Sequence, residues 1–308
     1  MKIIYYISVF LVISIQEVLS QSIYVLEIES PEELHEFFNP DPTNIPVISG
    51  HRGGIVAGFP ENSIEAMENT IKRTHAMFEL DPRITKDSVI VLMHDETLDR
   101  TTNFSGKLID FNFSQLNNCY LADKYGEQTL FKIPTLKEVI EWSKGKTIIN
   151  LDKKNVPFKM IADLVIELDA TSHVMLTVHH PDEAKYYLSR DKRFMFSAFI
   201  RNLKEFNKYD QAEIPWDQMI AYVGPLSKPE NKELYSKLHQ KNVMVMVSAA
   251  SSYDKGENKI DRFNNYCKVF QDGADILESD LPIDVAKAIN IVENKGAKNA
   301  KFFSEIKQ

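Results

Sequence analysis

The sequence predicts a single (β/α)8 barrel, an α/β fold, from about residue 44 onward. Short apolar runs alternate along the chain with segments of helical periodicity, and about eight such strand-helix units close a parallel barrel. No Gly-x-Gly-x-x-Gly segment follows a predicted strand, which disfavours the alternative, an open doubly wound sheet. The 308-residue chain is 44% hydrophobic and 26% charged, as expected for a globular protein.

The first twenty residues differ from the rest of the chain. Lys2 precedes an apolar run from Ile3 to Ile15, which has the length of a signal-peptide core and is short for a bilayer span. We therefore expect residues 1–20 to be a signal peptide and residues 21–43 an N-terminal extension. The mature protein would then be exported, to the periplasm or the medium, without stable membrane insertion. An uncleaved anchor is the alternative.

Charge and cysteine content exclude some classes of protein. The net charge is −8 and there is no Lys/Arg-rich block, which argues against nucleic acid as a partner. An anionic substrate would therefore be attracted locally, by a few cations or a bound metal. Cys119 and Cys267 are too few for a disulfide framework, although one bridge stays open. The sequence leaves the oligomeric state open.

The first predicted barrel strand runs from Pro46 to Gly50. It delivers His51 and Arg52 to its carboxyl end, where parallel barrels carry their chemistry. Two glycines follow and allow the chain to turn. Asn62 and a glutamate three residues later have the spacing of a capping box, which predicts the N-terminus of a helix at this point.

The next strand, Met77 to Asp81, places Glu79 and Asp81 on one face because side chains alternate along a strand. Two buried carboxylates side by side repel each other and lose hydration. A divalent cation would offset both costs.

Two further apolar runs end in polar residues. The run from Val89 to Met93 is a predicted strand that delivers His94, as the first strand delivers a histidine. The strand Thr147 to Leu151 leads into Asp152 and Lys154, which alternate onto one face. Between these two runs, the polar stretch from residue 99 to residue 131 is predicted to be a loop or small cap inserted after the second strand. A capping box at 135–138 then begins a helix.

The rest of the chain repeats the strand-helix pattern. Strands are predicted at 174–178, 194–199, 219–223, 243–247 and 274–277. Helices are predicted at 158–168, 182–188, 231–239 and 259–270.

Several motifs resemble the glycerophosphodiester phosphodiesterase family, whose fold is a TIM barrel. The matching pieces, in order, are His51-Arg52-Gly53, Pro60-Glu61-Asn62-Ser63, Glu79-x-Asp81, Thr85-Lys86-Asp87, His94-Asp95, Leu98-x-Arg100-Thr101-Thr102, Ile133-Pro134-Thr135-Leu136 and Gly273-Ala274-Asp275 through Asp280-Leu281-Pro282. They cover nearly all of the predicted mature chain. The resemblance implies metal-dependent hydrolysis of glycerophosphodiesters to sn-glycerol 3-phosphate and an alcohol.

The resemblance also implies roles for eight residues. His51 and His94 correspond to the general acid-base pair. The implied ligands of one divalent cation, Mg²⁺ or Ca²⁺, are Glu79, Asp81 and Asp152. The implied substrate-binding residues are Arg52, Glu61 and Lys154.

The sequence departs from the family pattern at two places. Asp152 stands where the family usually has a glutamate, and the segment 247–250 lacks the tryptophan motif that often follows the seventh strand. A second acidic pair, Glu278 and Asp280, could also border the site. The alternative functions are a phospholipase D-like release of a cyclic phosphate, a phosphate-binding barrel without turnover, and a glycosidase.

Overall fold

The computed structural model describes residues 22–289 and 296–307. Eight of its strands form a closed barrel of parallel strands, so the predicted fold class is confirmed. The predicted signal peptide lies outside the described residues and stays a prediction. Within the described ranges, no helix has the length and apolar character needed to cross a bilayer.

The barrel strands follow one another around the barrel nearly in chain order. The strands of the described residues are β1 (Ser22–Leu26), β2 (Val47–His51), β3 (Met77–Leu80), β4 (Pro82–Ile84), β5 (Ile90–Leu92), β6 (Tyr120–Ala122), β7 (Gln128–Lys132), β8 (Ile149–Leu151), β9 (Val174–Val178), β10 (Met195–Phe199), β11 (Met219–Tyr222), β12 (Val245–Ser248), β13 (Ile276–Ser279) and β14 (Phe303–Lys307). The barrel order is β2-β3-β8-β9-β10-β11-β12-β13, and β13 pairs with β2 to close it.

A helix lies between each two successive barrel strands, one more helix precedes the first barrel strand, and one follows the last. Their bounds are α1 (Pro31–Phe37), α2 (Ile64–Ile71), α3 (Leu136–Ser143), α4 (Phe158–Glu167), α5 (Pro181–Arg190), α6 (Leu203–Ala212), α7 (Lys232–Gln240), α8 (Lys259–Gln271) and α9 (Pro282–Ile289). The helices predicted from periodicity at 158–168, 182–188, 231–239 and 259–270 correspond to α4, α5, α7 and α8.

Side chains of the barrel strands alternate between two apolar cores. Leu80 and Leu277 face outward and pack in the large cluster between barrel and helices. Met77, three residues before Leu80, and Ile276, one residue before Leu277, belong to a second cluster inside the barrel. The alternation leaves the next inward positions toward the carboxyl end to polar residues, which matters for the site below.

The segment predicted as an N-terminal extension closes the amino end of the barrel. Leu34 and Phe37 of α1 and Phe302 near the C-terminus pack in the inner cluster together with Met77. Strand β1 pairs with β14 in a separate antiparallel sheet, and the Leu26 backbone N–H donates to the Lys146 carbonyl oxygen at 2.9 Å. Segments from both ends of the described chain therefore close the barrel interior at its amino end.

Residues 82–134 form an insertion between β3 and α3. Strand β5 pairs antiparallel with β4, and β6 pairs antiparallel with β7. The predicted strand at 89–93 thus exists, but it lies outside the barrel even though its sequence resembles the first barrel strand. Only residues 81–88 separate it from the preceding barrel strand, which is too few for the crossover that a parallel neighbour needs. A small apolar cluster that includes Val91, Leu116 and Cys119 holds the insertion together.

Local signals were partly correct. The capping box at 135–138 is confirmed, since the Thr135 hydroxyl accepts from the Glu138 backbone N–H at 3.2 Å. The capping box predicted at Asn62 is wrong, because the N-cap of α2 is Ser63, whose Oγ accepts from the Ala66 backbone N–H at 3.1 Å. Cys119 and Cys267 are both free thiols.

The plug at the amino end predicts a specific loss of stability. Phe37 is fully buried, so Phe37→Ala should lower the free energy of unfolding by about 3–5 kcal/mol through lost burial and a residual cavity. Tyr125 is 70% exposed, and Tyr125→Ala should change stability by no more than about 0.5 kcal/mol. Urea denaturation followed by circular dichroism measures both. Equal effects of the two substitutions would mean that α1 is not part of the cooperative unit.

Candidate active site

A cleft of about 770 Å³ opens at the carboxyl end of the barrel. Its inner wall is a ring of inward-facing residues from six different strands: Glu79, Asn150, Thr177, Ser197, Tyr222 and Glu278. These positions follow the apolar inner cluster along each strand, so the barrel interior changes from apolar to polar toward its carboxyl end. This is the end at which parallel barrels place their functional groups.

The three predicted metal ligands converge on one side of this cleft. Glu79 lies in β3, Asp81 follows that strand, and Asp152 follows the neighbouring strand β8. One carboxylate oxygen of each lies within 4.8 Å of the other two. Two oxygens bound to one ion are separated by at most twice the bond length, about 4.2 Å for Mg²⁺ and about 5 Å for Ca²⁺. The spacing is therefore compatible with one Ca²⁺ ion, whereas Mg²⁺ would require the oxygens to lie within about 4.2 Å of one another.

Neighbouring groups shift the pKa values of Glu79 and Asp81 in opposite directions. Burial and the negative charge of Asp81 raise the pKa of Glu79. Burial also raises the pKa of Asp81, but the Lys154 ammonium and a hydrogen bond from Asn62 outweigh it and lower that pKa. Lys154 Nζ lies 3.0 Å from Asp81 Oδ1 and 2.5 Å from Asp152 Oδ2. A positive charge thus already sits between two of the three carboxylates.

The turn after β2 brings Arg52 to the cluster from the other side. Arg52 has a left-handed backbone, with φ of 53°, and its N–H donates to Glu79 Oε2 at 3.2 Å. Its Nη1 donates to Glu61 Oε1 at 3.0 Å, and its Nε lies 3.5 Å from Asp81 Oδ2. Among the described residues, this buried Nε has no hydrogen-bond acceptor.

Asn62 fixes the orientation of Asp81. Its Nδ2 donates to Asp81 Oδ2 at 2.7 Å, and its Oδ1 accepts from the Asp81 backbone N–H at 3.0 Å. The left-handed backbone of Asn62, with φ of 59°, makes this double contact possible. The residue that fails as a helix cap is therefore used to position a candidate metal ligand.

Both predicted catalytic histidines are held by an aspartate. Nδ1 of His51 lies 2.6 Å from Asp280 Oδ1, and Nδ1 of His94 lies 2.7 Å from Asp95 Oδ1. A proton on each Nδ1 would bind these carboxylates and leave Nε2 for chemistry. His51 Nε2 points toward the cluster and lies 3.8 Å from Glu79 Oε2.

The two histidines reach the cluster from different elements. His51 ends β2, directly beside Glu79 in the register of β2 and β3. His94 follows β5, and the backbone N–H of the preceding Met93 donates to the Asp81 carbonyl oxygen at 2.9 Å. The inserted hairpin therefore carries the second histidine back to the end of β3.

The environment of His51 favours its charged form. Burial lowers the pKa of His51, but the hydrogen bond to Asp280 and the negative charges of Glu79 and Glu278 outweigh burial and raise the pKa to about 9.

Arg100 links His94 to the rest of the site. It binds Asp95 through Nε at 2.7 Å and Nη2 at 3.1 Å. It also binds both oxygens of Glu61, through Nη1 at 2.9 Å and Nη2 at 2.7 Å. Because Glu61 also accepts from Arg52, one chain of ion pairs runs from His94 to the three carboxylates.

The sequence matches the model of the glycerophosphoryl diester phosphodiesterase family over residues 51–264. The chain belongs to this family. A crystal structure of a glycerophosphoryl diester phosphodiesterase from Parabacteroides distasonis ATCC 8503 is 44% identical to it, with a TM-score of 0.91, and the match covers 92% of this chain and 100% of that one.

Curated relatives in the family match over shorter segments. Glycerophosphodiester phosphodiesterase 1 of Mus musculus is 42% identical over 93 residues, which are 29% of this chain and 28% of that protein. Glycerophosphodiester phosphodiesterase of Caldanaerobacter subterraneus subsp. tengcongensis is 36% identical over 111 residues, 35% of this chain and 45% of the relative. The matches thus span less than half the length of these curated relatives. A phosphodiesterase of Oleispira antarctica, solved with the product sn-glycerol-3-phosphate, shares the fold with a TM-score of 0.59 at 16% identity and with coverage of 85% of this chain and 100% of that chain.

Sequence reasoning gave no role in this family site to Arg100 or Asn62, and it named Asp280 only as a residue that could border the site. Asp280 follows β13 directly, as Asp81 follows β3 and Asp152 follows β8. An acidic residue placed immediately after a barrel strand is the signal that could have found it. Arg100 belonged to a quoted motif, but nothing in its spacing indicated a bidentate contact with Glu61.

The contact between Asp280 and His51 predicts a measurable pKa change. Asp280→Asn removes the negative charge and the acceptor at Nδ1, so the pKa of His51 should fall by about 1 to 2 pH units from its raised value. NMR titration of the imidazole in chelator-treated protein measures this. Asp95→Asn, at the other histidine, is the matched control and should leave His51 unchanged. An unaltered His51 pKa in Asp280→Asn would show that this contact does not form in solution.

Proposed function

We propose that this protein hydrolyses glycerophosphodiesters to sn-glycerol 3-phosphate and an alcohol. His51 and His94 would act as general acid and base, and Glu79, Asp81 and Asp152 would hold one divalent cation. The observation that carries the proposal is the placement of two aspartate-held histidines beside a cluster of three carboxylates in a member of this family.

The donor set supports a hard cation. Glu79, Asp81 and Asp152 offer only carboxylate oxygens, which suit Mg²⁺ or Ca²⁺ better than Zn²⁺. The close approach of Lys154 Nζ to two of them supports the proposal that these carboxylates attract a positive charge. When bound, the cation would neutralise charge on the phosphoryl oxygens and orient the substrate.

Arg52 and Lys154 would bind the phosphate beside the cluster. The buried Arg52 Nε has no acceptor among the described residues, so it can donate to a phosphoryl oxygen. The Lys154 ammonium lies at the same cluster on the β8 side. By analogy with an oxyanion-hole donor, each would stabilise the transition state by about 3 kcal/mol.

Glu61 would act through the two arginines and not through the substrate. Its two oxygens are taken by Arg52 and by a bidentate contact from Arg100, and the side chain is 8% exposed. This differs in detail from the substrate-binding role implied by the family resemblance. In our proposal, Glu61 holds Arg52 in the position that meets the phosphate.

The histidines would move the two protons of the reaction. One Nε2 would accept the proton of the attacking nucleophile, and the other imidazolium would donate to the leaving alkoxide. Each transfer contributes about 10²- to 10⁴-fold in rate. Asp280 and Asp95 would keep the Nδ1 proton in place, which fixes the orientation of each ring.

The aspartate at position 152 also fits a second product, a cyclic phosphate. Phospholipase D-like relatives of this barrel use an internal hydroxyl as nucleophile and often have aspartate as the third ligand, as here. Phosphorus NMR of the products separates a cyclic phosphate from sn-glycerol 3-phosphate.

The histidine that acts as general acid can be identified by comparing substrates with different leaving groups. Either His51→Ala or His94→Ala should reduce kcat/KM about 10²- to 10⁴-fold with an alkyl glycerophosphodiester and much less with a p-nitrophenyl ester, because p-nitrophenolate departs without a proton. The other histidine should reduce both rates similarly. If both variants lose the same factor on both substrates, neither histidine is the acid.

Removal of the metal should abolish activity. Dialysis against EDTA should inactivate the protein, and Mg²⁺ or Ca²⁺ should restore it, while far-UV circular dichroism stays unchanged. Glu79→Gln keeps the shape but removes one charge, so it should weaken cation binding in calorimetry. If protein that elemental analysis shows to be free of metal has full activity, the reaction does not require a bound cation.

A further inference from the structure

The wall of the cleft opposite the carboxylate cluster is aromatic. Phe199 ends β10 and Tyr222 ends β11, and their ring centroids lie 4.6 Å apart at an angle of 57°. In the eight-stranded order, β10 and β11 lie across the barrel from β2 and β3. Met246 of the next strand also lines the cleft. A substrate whose phosphate lies at the cluster would therefore extend its other end toward these rings.

Glu278 of β13 lies between the two walls and is 7% exposed. Among the described residues, its carboxylate accepts one long contact, from the Ser49 hydroxyl at 3.4 Å, and the nearby Ser248 side chain acts to lower its pKa. In the described ranges, no Lys, Arg or His nitrogen lies within 4.0 Å of it. Burial and the negative charge of Glu278 raise the pKa of Tyr222. The carboxylate therefore lies close enough to the aromatic wall to interact with it electrostatically.

The other ion-pairing carboxylates of the cleft already have cations. Glu61 binds Arg100, Asp280 binds Lys255 at 3.2 Å, and Asp152 binds a lysine. Within the described part of the chain Asp254 has no such partner, but three donors approach it: the Tyr266 hydroxyl, the Ser279 hydroxyl and the Asp280 backbone N–H. Among the described residues, Glu278 has neither a cation in direct contact nor such a set of donors, and the charge of His51 acts on it only from beyond 4.0 Å. A buried carboxylate of this kind is costly unless a positive charge from a ligand meets it.

We propose that Glu278, Phe199, Tyr222 and Met246 form a subsite for a cationic leaving alcohol, of the trimethylammonium class. This inference rests on the proposed function and adds the substrate's head group to it. Aromatic faces attract weakly hydrated cations, a thioether packs well against methyl groups, and the carboxylate supplies the full opposite charge. The small side chains of Ser248 and Ala250 at the end of β12 leave room between the carboxylate and the rings.

A nearby cation does not fill this subsite. Arg201 lies 5.4 Å from the Phe199 ring centroid, but it is half exposed and is bound by both oxygens of Glu205, at 3.1 and 2.7 Å. Its positive charge is thus already paired with the carboxylate of Glu205. The cleft side of the aromatic pair stays available to a ligand.

The test compares two substrates that differ only in charge. One is glycerophosphocholine, and the other is its neutral isostere with a 3,3-dimethylbutyl group in place of the trimethylammonioethyl group. Metal-loaded enzyme should prefer the cationic substrate at least about tenfold in kcat/KM, mostly through KM, because the head group lies away from the reacting bond. The ratio of the two values reports the subsite and cancels any general loss of activity.

The variants assign that ratio to residues. Glu278→Gln and Tyr222→Leu should each lower the ratio about tenfold, whereas Tyr222→Phe, which keeps the ring, and Glu278→Asp, which keeps the charge, should retain most of it. A wild-type ratio near one, or a ratio that Glu278→Gln leaves unchanged, would overturn the subsite while the hydrolase function stands.

Failure of the proposed function has a different signature. In that case neither substrate is hydrolysed by the metal-loaded enzyme. Calorimetric titration with choline and with 3,3-dimethylbutanol then tests the subsite directly. Choline binding that is lost in Glu278→Gln supports it, and equal binding of the two alcohols refutes it.

Discussion

The close approach of three carboxylates at the ends of β3 and β8 is the constraint on which the rest of the site depends. Negative charges in a buried cleft repel one another strongly, because little water screens them. Lys154, Arg52 and Asn62 all direct donors at Asp81; Arg52 and Asn62 lie in the loop after β2, and Lys154 lies in the loop after β8. The loops after β2 and β8 are therefore positioned largely by the need to compensate this charge.

The same constraint explains why the site is a connected network. Arg52 contacts the cluster and Glu61, Glu61 contacts Arg100, and Arg100 contacts the aspartate that holds His94. The two arginines have few alternative partners for these contacts, because the carboxylate of Glu61 that joins them is almost fully buried. A change at Arg100 would thus reach both the second histidine and the arginine proposed to bind phosphate.

Much of this arrangement could be predicted from the sequence because it follows from local rules. Alternation along a strand places Glu79 and Asp81 together, and the ends of neighbouring parallel strands bring Asp152 to them. Contacts set by barrel closure could not be predicted in this way. His51 meets Asp280 only because β13 pairs with β2, 229 residues away in sequence. The sequence signal of an acidic residue after a strand exists at both places, but only closure decides which residues meet.

Local patterns failed where a residue's side chain serves the site. Asn62 has the spacing of a helix cap, yet its amide is used by Asp81, and the next residue caps the helix instead. The run from Val89 to Met93 has the composition of a barrel strand, yet it folds back as a hairpin because too little chain precedes it. In the first case a contact with the carboxylate cluster, and in the second the length of the connection, overrides a local propensity that is worth about 1 kcal/mol or less.

The division of the barrel interior explains how the protein tolerates such a site. The upper half buries charges whose desolvation opposes folding, and it contains several contacts that stabilise only when every partner is present. The lower half is apolar, and α1, β1 and the C-terminal segment seal it with large side chains such as Phe37 and Phe302. Because hydrophobic burial scales with area and does not depend on partner geometry, the lower half can supply stability that does not depend on the occupancy of the cleft. Substitutions in the cleft should therefore change chemistry and selectivity more than they change the fold.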